Sequence, residues 1–297
     1  MTKNKNKNLF IVIMAGGEGS RFYPLSTPER PKQFLNFIDD KTFIRQTFER
    51  ITPIVDPANI YISTNERYFG LVKEELPEIQ DDNIIIEPLK KNTGPALAYA
   101  TMLIKLKHGE SIICCLPSDH YISNETGFRT SIRSAANLAM DGYIVTLGMK
   151  PSWSSTEYGY ISAINPNSEW SEILAFKEKP NKDMAQEYLN KGYFWNGGIF
   201  VWSTKVFFDE MALHANHLIP KTTQIDNDFC RKYFENAQAI SIDYALMEKS
   251  KKVAVIPTAI GWNDVGTWES IKRLHQENVN ISKRVVDIMY GDGIVAV

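Results

Sequence analysis

An unbroken apolar run, Leu9–Met14, stands near the front of the chain. With no polar alternation it reads as a strand covered on both faces, the pattern of a parallel sheet. Apolar spacing over 42–50 puts Phe43, Ile44 and Phe48 on one side of a short helix, and 59–63 is a second strand. A helix over 65–76 stops at Pro77, a third strand covers 84–87, and Asn92-Thr93-Gly94-Pro95 starts a helix continuing through 96–106. Thr93 is placed to cap it, with Pro95 in its first turn. A fourth strand, 111–116, delivers Pro117-Ser118-Asp119-His120 at its carboxyl edge; a helix over 123–140 and a strand over 143–148 follow. This alternation predicts an α/β, Rossmann-like sheet, mixed but mostly parallel, with ligands at the carboxyl ends of its strands.

Beyond 150 the pattern becomes rich in aromatics, from Trp153 to Trp202. Such residues build core, and they also form the apolar walls of sugar sites. Short motifs sit at predicted strand edges: Tyr158-Gly159-Tyr160-Ile161, Phe176-Lys177-Glu178-Lys179-Pro180 and Trp195-Asn196-Gly197-Gly198. Helical segments are expected over 204–211 and 224–235, an apolar stretch around Asp243 and Tyr244, and a strand over 253–256. Asp264 then precedes another helix, as its cap or as a metal ligand. Strands over 285–289 and 294–297 are expected to end the chain. The domain reading is a disordered segment 1–8, one domain over 9–277 with halves 9–150 and 151–277, and a β-containing tail over 278–297.

Composition narrows the function classes. A chain of 297 residues, 43% apolar, buries a large core. Its 33 basic and 35 acidic residues leave a net charge of −2, so no global field draws it to nucleic acid or an anionic membrane. No run approaches the length of a membrane helix and no secretion signal is visible, so a cytoplasmic, soluble protein is expected. Cys114, Cys115 and Cys230 fit neither a disulfide framework nor a zinc spacing and read as small core residues.

The chemistry concentrates after the first strand. Gly16, Gly17 and Gly19 let backbone N–H groups approach a ligand closely. A dinucleotide fingerprint needs a small residue where Phe22 stands, and a P-loop needs Gly-Lys-Ser/Thr, which is absent. Arg21 and Lys32 remain, with Pro24, Pro28 and Pro31 stiffening the loop between them, a fork and a point charge suited to adjacent phosphoryl groups.

Gly16-Gly17-x-Gly19-Ser20-Arg21, Pro24-Leu25 and Pro31-Lys32-Gln33-Phe34-Leu35 together resemble the signature of sugar-1-phosphate nucleotidylyltransferases, and the PKQFL ending is similar to the mannose-1-phosphate guanylyltransferases. The resemblance spans roughly 9–268. It implies a nucleotidyltransferase fold of the GT-A type and transfer of GMP from GTP to mannose 1-phosphate, giving GDP-mannose and pyrophosphate. Arg21 and Lys32 would be catalytic. Ala15, Gly16, Gly17, Gly19, Ser20, Glu87, Asn92, Thr93, Pro117 and Ser118 would bind nucleotide. Tyr158, Gly159, Glu178, Lys179, Asn196 and Gly198 would bind sugar phosphate, and Asp119 with Asp264 would hold Mg2+. Departures from the family pattern at Glu157 and Gly197 border the sugar motifs, which keeps another sugar 1-phosphate, such as a heptose, or another NTP in play beside a non-catalytic nucleotide-sugar binder. Pairing of the terminal strands with a second copy would make a homodimer.

Overall fold

The computed structural model describes residues 8–224 and 226–291. In chain order its elements are β1 (Leu9–Met14), α1 (Phe43–Ile51), β2 (Ile60–Asn65), α2 (Phe69–Glu75), β3 (Ile84–Glu87), α3 (Thr93–His108), β4 (Ile112–Pro117), β5 (Tyr121–Ile122), α4 (Glu125–Met140), β6 (Ile144–Met149), β7 (Tyr160–Ala163), β8 (Ser171–Lys177), α5 (Lys182–Asn190), β9 (Phe194–Ser203), α6 (Thr204–His214), α7 (Asn227–Asn236), β10 (Val253–Thr258), β11 (Trp262–Asn263), α8 (Trp268–Gln276) and α9 (Lys283–Tyr290).

The main sheet runs β3-β2-β1-β4-β9-β6-β10-β8-β7. Pairing directions set β8 and β9 against the other seven strands, so the sheet is mixed: seven strands share one direction, and the pairings that β8 and β9 make are antiparallel. β1 lies between β2 and β4, and its alternate residues feed different layers. Leu9, Ile11 and Ile13 join the core under α1, α2 and α4; Phe10 and Val12 join the one under α3 and α6. Truncating a fully buried residue such as Ile11 to alanine is expected to cost about 2–5 kcal/mol.

Two short elements matter more than their length suggests. β5 pairs antiparallel with β11, Tyr121 opposite Asn263 and Ile122 opposite Trp262. This ribbon brings residue 264 alongside residue 119 although 145 positions separate them in sequence. A third apolar cluster, including Phe22, Phe37, Phe43, Val265, Ile271 and Met289, packs behind the ribbon and supports the loop after β1.

Three local expectations need correction. The tail over 285–289 is not a strand but α9: Val285 and Met289, one helical turn apart, face the third cluster, while Ser282 N–H donates to Phe37 O (2.9 Å). Edge pairing with a second copy therefore loses its strand; 294–297, like 1–7, lies outside the described residues. The cap of α3 is Asn92, whose Oδ1 accepts from Thr93 N (2.8 Å), whereas the Thr93 hydroxyl accepts from Ile242 N (2.9 Å). Asp264 does not cap α8; Thr267 does, accepting from Ser270 N (3.2 Å).

Candidate active site

The loop after β1 is held by the side chain that ends the Pro31-Lys32-Gln33 motif. Gln33 Nε2 donates to both Ala15 O (2.9 Å) and Gly17 O (2.8 Å), and Thr64 Oγ1 donates to Ala15 O (3.0 Å). Ala15 N–H is taken by Ser63 O (2.7 Å), so that amide is already engaged within the sheet. Gly19 sits at φ +58°, and a Cβ there would stand 2.7 Å from Lys32 N, which only glycine avoids. The close approach presses the loop onto Lys32.

Lys32 is almost fully buried, its stem among Phe22 and Phe43 with Nζ 5.9 and 5.2 Å from their ring centroids. Its ammonium donates to Asp119 Oδ2 (2.9 Å) and to the backbone carbonyl of Asp264 (2.6 Å). Burial, the largest single influence, would raise the Asp119 carboxyl, but the charge and hydrogen bond of Lys32, with His120 and a backbone N–H beside them, together outweigh it and the group lies below its ordinary value. Asp119 remains ionised and a third exposed to the cavity.

Asp264 is aimed by a strained turn. Val265, β-branched and fully buried, takes φ +47°, held by the bond from its N–H to Asn263 Oδ1 (2.7 Å). Backbone of this kind persists only where its surroundings enforce it, and it concentrates at functional sites. Asp264 Oδ1 accepts from the Tyr158 hydroxyl (2.7 Å) and Gly266 N (3.2 Å). Burial, then Asp264 itself, raises the Tyr158 phenol, so it stays a donor.

Arg21, Lys32, Asp119, Asp264 and Gly19 line one cavity of about 290 Å³. His120 and Asp264 form the wall shared with a second cavity of about 270 Å³, which holds Thr93, Pro117, Tyr158, Gly159, Glu178, Lys179, Asn196 and Gly198. The residues expected at the sugar motifs thus meet those expected at the phosphates. Glu87 and Asn92 stand at the β3 end of the first half: Ser63 Oγ donates to Glu87 Oε1 (2.7 Å), the same oxygen that faces Gly16. Ser118 is turned inward, its N–H on Met14 O (3.2 Å). The backbone of Ser20 opens the short turn Ser20–Phe22. A further cavity, about 680 Å³, lies across the Tyr158 and Trp262 wall and is lined by none of the cations or carboxylates named here.

His120 and Trp262 escaped the sequence reading. Trp262 Nε1 donates to His120 Nδ1 (3.0 Å), which puts any ring proton on Nε2, and burial pulls the imidazole down to about 4. A neutral histidine therefore lines the same cavity as the two carboxylates. Its adjacency to Asp119 was the available signal; its tryptophan partner 142 positions away was not.

No group of three or more His, Cys, Asp or Glu side chains able to hold a metal occurs among the described residues. A magnesium ion on a nucleotide needs only one or two carboxylates, with phosphates and water completing its shell. Asp119 meets its protein partner through Oδ2, and Asp264 commits Oδ1 and keeps Oδ2, so both carboxylates retain coordinating capacity.

A family model for nucleotidyl transferases matches residues 10–280. The chain belongs to the nucleotidyl transferase family. It is 36% identical over 289 residues to a mannose-1-phosphate guanylyltransferase of Escherichia coli, an alignment covering 91% of this chain and 62% of that protein. It is 34% identical over 306 residues to mannose-1-phosphate guanylyltransferase 2 of Escherichia coli O157:H7, covering 96% and 62%. The chain thus spans about three-fifths of the length of these curated relatives. Among solved structures, one described as a mannose-1-phosphate geranyltransferase from Thermus thermophilus superposes with a TM-score of 0.83 at 30% identity, covering 90% of this nucleotidyl transferase and 79% of that chain. Divalent metal use is general in the family. No helix among the described residues of this nucleotidyl transferase is long and apolar enough to cross a membrane.

Proposed function

We propose that this nucleotidyl transferase moves GMP from GTP to α-D-mannose 1-phosphate, releasing pyrophosphate and forming GDP-mannose. The observation carrying this reading is the junction of two cavities at Asp264 and His120, one with Arg21, Lys32 and Asp119, the other with Glu178, Lys179 and Asn196. GTP would lie against residues 9–150 and the sugar phosphate against 151–277. The sugar phosphate is already an ionised nucleophile and pyrophosphate a good leaving group, so alignment and charge stabilisation suffice. A phosphate oxygen of the sugar attacks the α-phosphorus in line. Arg21 holds the departing β- and γ-phosphates, Lys32 the α-phosphate, and Lys179 the phosphate of the sugar. Asp119 and Asp264 would hold Mg2+, which would supply charge neutralisation along the phosphates. Pyrophosphate release across a panel of NTP and hexose or heptose 1-phosphate pairs tests the reading: GTP with mannose 1-phosphate is expected to lead, and a different leading pair would reassign the substrates.

Glu87 suits the guanine edge, whose N1–H and N2–H donate to a carboxylate. Burial raises Glu87 to about 7, with the Ser63 hydroxyl opposing. The raised value contributes stability that is present below pH 4.5 and lost as pH climbs through 7. Base reading runs the other way, because it needs the ionised form. KM for GTP is therefore expected to fall about tenfold between pH 6 and pH 8, and Glu87→Gln is expected to flatten that profile.

Glu157 carries a smaller effect. Its Oε2 lies 3.6 Å from Arg21 Nη1, with both side chains more than half exposed. The carboxylate competes with phosphate for the guanidinium, and exposed pairs are worth about 0.2–1 kcal/mol. Glu157→Ala is expected to lower KM for the triphosphate by up to about fivefold with kcat unchanged, read by initial rates at varied GTP.

A further inference from the structure

Asp243 opens a π-turn, Asp243–Met247, closed by the bond from Glu248 N to Asp243 O (2.9 Å). Turns of this width are rare and concentrate at functional sites. Both ends grip the sugar pocket: Asp243 Oδ1 accepts from Asn196 Nδ2 (3.0 Å), and Glu248 Oε1 accepts from the backbone N–H of Glu178 (2.9 Å). Asn196 is fixed in turn, its Oδ1 accepting from Thr146 Oγ1 (3.2 Å) and Gly198 N (3.1 Å).

Glu178 borders the same cavity, and its Oε2 is buried with no hydrogen-bond partner. Gly159 faces that oxygen so closely that a Cβ would sit 2.5 Å from it. Lys179 Nζ, 3.5 Å from the other oxygen, stands on a left-handed backbone at φ +43°. Buried carboxylate oxygens are rarely left unpaired, and each exception calls for a reason such as a catalytic role or a bound group.

We propose that Asp243 is a specificity-determining residue which, paired with Glu178, recognises one ring hydroxyl of the sugar 1-phosphate by accepting a hydrogen bond from it and donating one to it. The inference rests on the sugar-phosphate reading above. Burial raises both carboxyls, Glu178 to about 7 with Asp243 as a further cause, so near neutrality the pair retains a proton. Lys179 and Glu248 are the other charges acting on Glu178; Lys179, the Ser241 hydroxyl and Asn196 act on Asp243; Glu157, Asp264 and neutral His120 line the rest of the cavity. A hydroxyl both donates and accepts, matching a half-protonated pair in a way that neither an ammonium nor a second anion does.

The test is the specificity constant for nucleotide-sugar formation from hexose 1-phosphates deoxygenated at one ring position at a time. Wild type is expected to reject one of them by about 100-fold, as sites built around a substrate hydroxyl do. Asp243→Asn keeps the shape and the Asn196 contact; it and Glu178→Gln are each expected to shrink that rejection to below about tenfold, leaving the other analogues' ratios and the KM for GTP in place. A merely supporting role for Asp243 would slow all analogues alike and leave the ratios intact, which overturns the proposal. Should Asp243→Asn lose its cooperative melt, Glu178→Gln carries the same readout. Wild-type turnover with an unaltered selectivity pattern in the variants rejects the Asp243–Glu178 pair alone; no turnover of any NTP and hexose 1-phosphate pair by wild type rejects the sugar-phosphate reading, and the pair with it.

Discussion

Asp119→Asn is expected to lower the rate of pyrophosphate release from GTP and mannose 1-phosphate by about two to three orders of magnitude. The carboxylate lines the cavity that holds Arg21 and Lys32, is kept ionised beside the Lys32 ammonium and is partly open to the ligand space. Losing a preorganised charge contact of this kind raises a barrier by roughly 3–4 kcal/mol. The amide keeps the volume, and its oxygen still accepts from Lys32, so the ammonium is not stranded. A melting temperature within a few degrees of wild type is expected alongside the rate loss. The defect should lie in kcat, because charge develops on the phosphates only as pyrophosphate departs. Near-normal turnover by a folded variant would remove Asp119 from the reaction.

The sheet was legible because its strands are buried on both faces: Leu9–Met14 and Ile112–Pro117 need no partner information to read as strands. The motif residues were legible for a similar reason, since glycine at 19 and 159 answers local steric demands from Lys32 and Glu178. What stayed hidden depends on contacts between distant segments. Nothing near Trp262 or Tyr121 announces that two two-residue strands pair and bring Asp264 to Asp119. The run of β-branched residues at 285–286 suggests a strand, yet burial of Val285 and Met289 against Phe22, Phe37 and Ile271 favours a helix over local propensity. The π-turn at Asp243 was equally unreadable, because its extra residue is visible only in the Glu248 to Asp243 bond. Lys32 is the most instructive difference: expected to await a phosphate, its ammonium is already engaged by Asp119 and the Asp264 carbonyl. The same cation therefore organises the carboxylates before any nucleotide arrives.

That double duty sets the second large expectation. Lys32→Met keeps the apolar stem between Phe22 and Phe43 but deletes the charge, leaving Asp119 without its partner beside Asp264. Breaking a buried pair by removing one member costs about 3–5 kcal/mol, and partial exposure of Asp119 brings the cost toward about 2–3 kcal/mol. For a chain of this size that corresponds to a melting temperature roughly 3–5 °C lower, measurable by circular dichroism. Turnover is expected to fall at least as far as in Asp119→Asn, since the α-phosphate loses its counter-charge as well. Magnesium separates the two roles. With Lys32 gone, a divalent cation can supply the positive charge lost beside Asp119, so added Mg2+ should raise the melting temperature of Lys32→Met by more than it raises that of wild type. Excess chelator should erase the difference. A variant that loses activity yet shows no greater magnesium response than wild type would mean that Asp119 and Asp264 do not share a cation, and the reaction would need another arrangement of charge around the phosphates.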